Sequence, residues 1–212
     1  METPSATPRR RGRPPKQAEG LAETRERLLR SGVEVLTEKG FLATGIDLIL
    51  RRAGVPKGSF YHYFKSKEAF GAALIERYGE YFARKLERHL SDPTKPPLAR
   101  LQAFIDDAQT GMAKYDYRRG CLIGNLGQEM GGLPEAFRAQ LGAVFGDWQA
   151  RVARCLSEAQ AMGELAAHVD CAQTAMYFWI AWEGAVMRAK LERDPAPLQI
   201  FATAFFAGLR RP

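Results

Sequence analysis

Few of the groups that an enzyme or an exported protein would need are present in this chain. Its three cysteines, Cys121, Cys155 and Cys171, are an odd number without metal-ligand spacing, which argues against a disulfide framework and for reduced thiols in a cytosol. The three histidines, His62, His89 and His168, stand in unrelated contexts, without a nucleophile elbow, paired catalytic carboxylates or a phosphate loop. Catalysis is therefore not expected, and neither a cofactor nor a metal is required. Long apolar runs are scarce as well: the notable one, Ala175–Trp182, falls far below the roughly 20 residues that span a bilayer. The basic N-terminus has no apolar stretch behind it, so no secretory signal is read, and the expected location is cytoplasmic, with no membrane partner. No convincing strand pattern appears anywhere.

What is present is positive charge at one end. Residues 1–67 hold 14 Lys+Arg against 7 Asp+Glu, while residues 68–212 hold 17 against 17, so the whole net charge of +7 sits in the first third. A basic end on a neutral body is the footprint of a polyanion-binding module, because neutralised phosphates release their condensed counterions. A hydrophobic content of 46% over 212 residues supplies one large core, or a small module and a larger one.

Residues 1–20, rich in Pro, Arg, Ser and Thr and without apolar periodicity, are expected to be a disordered basic arm. Within it, Arg11 and Arg13 belong to the run Arg9–Lys16, whose Arg-Gly-Arg-Pro core resembles short hooks that lie in narrow A·T minor grooves. An arm that adds only non-specific attraction would read the same way.

Residues 21–67 have the punctuation of a helix-turn-helix DNA-binding domain. Leu28, Leu29, Val33, Leu36 and Phe41 give a first helix its apolar face up to Gly40. Thr44-Gly45-Ile46-Asp47 has the form of a capping box, followed by Ile46, Ile49, Leu50 and Ala53 at helical spacing. Gly54-Val55-Pro56 breaks this second helix and starts a third, the one that enters the major groove in such a pair. Phe60 and Phe64 should turn inward with Val55, which leaves Lys57, Gly58 and Ser59 at the exposed end, where base edges are met. Tyr61, His62 and Tyr63 suit phosphate oxygens on the flanks, and Lys65 and Lys67 would clamp phosphates from the start of helix four. An ordinary exposed histidine and a half-buried tyrosine are the plainer readings of His62 and Tyr63.

On these residues, and above all Val55–Phe70, the chain resembles the TetR family of bacterial one-component regulators. The resemblance implies an all-α homodimer with three DNA-binding helices per subunit and, over residues 68–212, a ligand-binding and dimerisation domain of about six helices. It implies double-stranded DNA with a palindromic operator as partner, and a bacterial cytoplasm, with nucleoid association when DNA-bound. Thr44, Lys57, Ser59, Tyr61, His62 and Lys67 match the family positions that contact DNA. Gly120–Glu129 and Trp182–Leu191 further resemble the branch that senses small electrophiles, which implies an effector such as acrylate or a related electrophile or carboxylate. Repression is the expected sign. Activation and a ligand-blind architectural role are the alternatives.

The candidate effector-binding residues are Arg118, Arg119, Cys121, Asn125, Gln128, Trp179, Trp182 and Glu183. Arg118 and Arg119 precede Cys121, and their charge would favour the nucleophilic thiolate; alternatively they pair a ligand carboxylate, or Cys121 is simply a buried thiol. Lys190 is a further group that could approach Cys121. Residues 120–132 hold five glycines, which either let the segment shift or let helices cross closely. Ala175–Met187 is apolar almost all round and should be buried on both sides, one toward the effector and one toward a partner subunit. Tyr177, Trp179 and Trp182 offer a cavity wall or core packing, and Glu183 needs a partner if buried. Ala181, Gly184, Ala185 and Ala189 would let a partner helix approach, so the dimer seam is expected near residues 171–192 and 197–210.

Overall fold

The computed structural model describes residues 16–209, with side chains from Gly20 onward; Arg11, Arg13 and most of the predicted arm lie outside the described residues. Helix α1 runs from Lys16 to Lys39, so helical backbone begins four residues before the predicted end of the arm. It ends at Gly40, whose φ of 84° lies in the left-handed region that glycine alone enters freely. Helix α2 (Ile46–Ala53) ends in the same way at Gly54, φ 64°, where the Val55 N–H donates back to the Leu50 carbonyl at 3.0 Å. A 3₁₀ turn (Lys57–Ser59) and one α turn, α3 (Phe60–Tyr63), then form the third element of the head. Phe60, Phe64 and Phe70 close a ring cluster beneath it, with centroids 4.8–5.6 Å apart.

Helix α4 (Lys67–Leu90) starts at Ser66, whose hydroxyl accepts from the Ala69 N–H, and runs from the head into the body. There it packs against α5 (Pro97–Ala113), the short α6 (Leu122–Gln128) and the long α7 (Glu135–Ala161). Helix α8 (Cys171–Glu192) lies on α7, and α9 (Ala196–Leu209) lies on α8. Trp148 and Trp179, 4.9 Å apart, centre the body core with Phe82, Phe104 and Phe178. The fold is all-α, and no strand occurs among the described residues.

Within the single subunit the apolar helix α8 buries one of its two faces. Ala175, Phe178, Trp179, Trp182, Ala185, Val186 and Ala189 are buried within the subunit, while Met176, Tyr177, Ile180, Met187 and Leu191 are exposed. The exposed set recurs at helical spacing around Gly184. On α9 the buried stripe is the predicted Leu198, Phe201, Ala202, Phe205 and Leu209, and the opposite face shows Ile200, Thr203, Ala204, Ala207 and Gly208. Ala185 and Ala189 are thus internal packing positions and Ala181 is half-buried, while Gly184 and several small residues of α9 remain outward.

Candidate functional site

The short third element of the head presents its polar groups outward because its apolar ones are fixed beneath it. Phe60 is fully buried, and Val55 and Phe64 nearly so, as the spacing predicts. Lys57, Gly58, Tyr61 and His62 are exposed, and Ser59 and Tyr63 are half-buried. The Lys57 ammonium lies 2.9 Å from the Asp47 carboxylate, both side chains being largely in solvent. Gly45, without a side-chain cap, precedes α2, so the predicted capping box does not form.

Two proposed DNA contacts are corrected by the geometry. Thr44 is fully buried, and its hydroxyl donates to the Gly40 carbonyl at 2.6 Å, which fastens the α1–α2 turn instead of offering a group to phosphate. Lys67 folds back over the Phe41 ring, 4.4 Å from its centroid, and donates to the Phe41 carbonyl at 2.8 Å. Partial burial lowers the pKa of its ammonium against the opposing pull of Glu68 and Glu129. Lys65 remains exposed.

In the body, a cleft of about 690 Å³ opens between α1, α4, α5 and α8. Its walls carry five cationic side chains, Arg30, Arg77, Arg84, Lys85 and Arg119, against two carboxylates, Glu26 and Glu34, so the lining favours an anion. Cys121 and Trp182 face it, with Tyr78, Tyr81, Phe82 and Tyr115. A second chamber of about 90 Å³ lies between α6 and α8, lined by Gly120, Asn125, Gln128, Glu183, Val186, Met187 and Lys190. The predicted effector residues therefore fall into two groups, and two fall outside both. Arg118 is exposed and lines neither cavity, and Trp179 belongs to the core at 2% exposure. Tyr177, exposed at 56% and stacked on Phe205, is no cavity wall either.

Cys121 does not have the environment its sequence neighbours suggest. Arg119 turns away to the Tyr115 ring, 4.0 Å from its centroid, and to Glu34 at 3.5 Å. The thiol is buried, and burial together with the neighbouring Glu183 carboxylate pushes its pKa well above the usual range. Of the readings left open for Cys121, the buried thiol is the one that fits its surroundings. Burial also pushes Glu183 up to about 7, and its Oε1 has no hydrogen-bond partner among the described residues.

The head and body are joined by a polar latch that sequence reasoning missed. The Glu129 carboxylate accepts from the backbone N–H groups of Phe41 and Leu42 at 2.8–3.1 Å. It lies so close to Gly40 that a Cβ there would meet its Oε1 at 1.9 Å, a second reason for glycine at that position. At the last turn of α1, the Asn125 amide donates to the carbonyls of Leu36 and Thr37 at 3.1 and 3.0 Å. The Gly120 N–H and the Lys190 ammonium also donate to Thr37, at 3.0 and 3.1 Å. These groups satisfy the Thr37 carbonyl, which the helix end leaves unpaired, while Leu36 also accepts from the Gly40 N–H at 2.9 Å. The glycines of this segment serve close crossing where a role is visible: a Cβ on Gly124 would meet Glu183 at 2.0 Å, and one on Gly132 would meet Leu42 at 2.8 Å. Only the density of Asn, Gln, Glu and Gly over 120–132 hinted at this junction, since its partners lie far away in sequence. Among the described residues no cluster suited to a metal ion occurs, and no helix is long and apolar enough to cross a membrane.

Comparison with known proteins agrees with this architecture. Residues 28–74 match the family model described as bacterial regulatory proteins, tetR family, and residues 97–205 match the tetracyclin repressor-like C-terminal domain. The transcriptional regulator AcuR of Cereibacter sphaeroides is 52% identical over 206 residues, 96% of this chain and 94% of that protein. The HTH-type transcriptional repressor DhaR of a Mycobacterium species is 34% identical, covering 87% of this chain and 91% of its own. A crystal structure of a regulatory protein TetR from Rhodobacter sphaeroides superposes with a TM-score of 0.86 at 54% identity, covering 87% of this chain and 97% of that one.

Proposed function

Because the chain belongs to the TetR family of transcriptional regulators and is no enzyme, we propose that it is a repressor that binds a palindromic operator as a homodimer and is released by a small effector. In this reading residues 21–67 bind DNA, and residues 68–212 bind the effector and the second subunit. Lys57, Gly58 and Ser59 meet the major groove, with Tyr61, His62 and Tyr63 on its flanks. Arg11 and Arg13 supply basic charge from the N-terminal arm. The exposed apolar stripe of α8 and the small-residue face of α9 form the seam with the partner subunit, in a four-helix arrangement. The working place is the bacterial cytoplasm, on the nucleoid when DNA is bound.

The observation that carries the regulated reading is the polar latch. Glu129, Asn125 and Lys190 reach from the effector domain into the backbone of the last turn of α1 and the turn after it. A ligand that shifts α6 or α8 must change those hydrogen bonds, and with them the position of the recognition segment. Release then equals the difference in effector affinity between the two states, typically about 1–3 kcal/mol, or a 5–150-fold change in DNA affinity.

Acrylate or a related electrophile or carboxylate is the effector class we favour. Cationic side chains in both body cavities, Lys190 of the smaller one among them, and the resting thiol at Cys121 support recognition of the carboxylate over spontaneous covalent capture. Fluorescence anisotropy on DNA from upstream of the protein's own gene, titrated with acrylate at fixed salt, tests the scheme. Release by acrylate but not by uncharged acrylamide is expected, and tight binding unmoved by either would leave a DNA-binding regulator and discard this effector. Operator affinity should also fall by about 10³ or more between 50 and 200 mM salt if six or more phosphates are neutralised.

A further inference from the structure

The two cavities differ in scale, and the smaller one has the features of a ligand site. At about 90 Å³ the α6–α8 chamber offers the space of roughly three waters, which is room for a molecule of about five heavy atoms. Building on the effector reading above, we propose that this chamber, and not the large cleft, is a binding site for a small monocarboxylate, with Lys190 and Glu183 facing the two carboxylate oxygens.

Three observations support the assignment. Among the described residues the Glu183 Oε1 is buried without a hydrogen-bond partner, a costly state that an incoming polar group would relieve. The carboxyl is held in place, because Gly124 leaves room for its Oε2 where any side chain would collide. The Lys190 ammonium has three N–H donors, of which one is given to the Thr37 carbonyl at 3.1 Å among the described residues. A carboxylate seated here meets an ammonium on one side. On the other it needs a donor, which Glu183 provides in its protonated form.

The charged surroundings fit that division. Glu183 faces the Cys121 thiol at the start of α6 and the Tyr78 hydroxyl on α4, both of which stay protonated through neutral pH because burial raises them. Lys190 faces Glu38 on α1 and Glu129 at the end of α6. Burial holds the Glu183 proton up to about pH 7, so at neutrality the free protein carries it only in part. Binding of an anion beside Glu183 therefore takes up a proton. Affinity should be nearly flat below pH 7 and fall about tenfold per unit above it.

Isothermal titration of the full-length dimer with acrylate and with propionate, three-carbon monocarboxylates of the right size, tests this. In two buffers of different ionisation enthalpy, proton uptake that rises between pH 6 and pH 9 toward one per bound ligand is expected. Lys190→Met should weaken binding at least tenfold, and Glu183→Gln should abolish the proton uptake. Binding without proton uptake overturns the proposal, as does binding lost in Arg119→Ala and kept in Lys190→Met, which would place the ligand in the large cleft. Absence of any binding heat at millimolar ligand overturns it too, and leaves operator binding intact as a separate result. Proton-linked binding that fails to release the operator would uphold the site and overturn the effector reading. The wild-type proton count needs no variant, so a misfolded mutant does not rescue the proposal.

Discussion

In the recognition segment the polar side chains face outward and the apolar ones hold it in place, whereas around α6 the polar side chains face inward and are themselves the fastening. Lys57, Gly58 and Tyr61 are exposed above Phe60, Phe64 and Phe70, whose rings lock the segment to the head. Asn125 and Glu129 instead spend their hydrogen bonds on the backbone of another domain. The first arrangement is a rigid reading surface. In the second each hydrogen bond is worth about 1–3 kcal/mol net, the larger values belonging to the Glu129 carboxylate, which is within the range a ligand can rearrange.

Removing the ring at Phe60 should break the rigid side of this comparison most severely. The side chain is fully buried between Phe64 and Phe70, and Phe60→Ala should cost about 3–5 kcal/mol, a large part of the total stability of a domain. Chemical denaturation should show this loss, together with the loss of operator binding. An unchanged midpoint would mean that the ring cluster does not hold the segment.

The body should show a pH dependence that the head does not. Folded Glu183 keeps its proton up to about pH 7, while the unfolded chain releases it near 4.5, so between these values the folded state binds more protons. Stability therefore falls as pH rises from about 4.5 to 7, by roughly 2–4 kcal/mol, and levels off above. Denaturation midpoints at pH 5 and 7.5 should differ in this sense for the wild type and much less for Glu183→Gln. A wild-type midpoint that rises over this range would contradict the burial of the Glu183 carboxyl.

The same contrast explains which parts could be read from the sequence. The head was legible because its determinants are local: Gly54 ends one helix, and Phe60 starts α3 with Phe64 four residues on, just past its end. Failures there concerned side chains with a choice of direction. Thr44 and Lys67 carry groups suited to phosphate, yet both find carbonyls in the α1–α2 turn. In the body, adjacency misled. Arg118 and Arg119 precede Cys121 in the chain, but the groups that set its proton affinity are burial and Glu183, brought in by α8. Beyond the polar density of its segment the latch residue Glu129 left no signal, because its partners are N–H groups that every residue but proline possesses. The apolar character of α8 was plain, although only the fold decides that Ala185 and Ala189 point inward and Gly184 outward.

Cutting the latch should separate sensing from reading. Glu129→Ala leaves the N–H groups of Phe41 and Leu42 without their carboxylate, at a cost of about 1–3 kcal/mol in stability. The recognition segment keeps its ring cluster, so operator affinity should change less than tenfold, which is below about 1.4 kcal/mol. The ratio of operator affinities with and without effector should instead collapse toward one. A variant that keeps its full effector response would show that the signal travels by another route, such as α4.

The smallest effect on folding is expected at Lys57, and there the two regions separate most sharply. Its pairing with Asp47 joins two side chains that are 81% and 51% exposed, and such surface pairs contribute about 0–1 kcal/mol. Lys57→Ala should leave the denaturation midpoint nearly unchanged and leave the effector response ratio intact. Operator affinity should nevertheless drop by about 1–3 kcal/mol if the ammonium meets a guanine edge, with discrimination relaxed at that base pair alone. If it meets only phosphate, binding should weaken uniformly across sequences, and the slope of log affinity against log salt should fall by about one. The two outcomes distinguish reading from attachment, because in both the fold and the latch stay as they were.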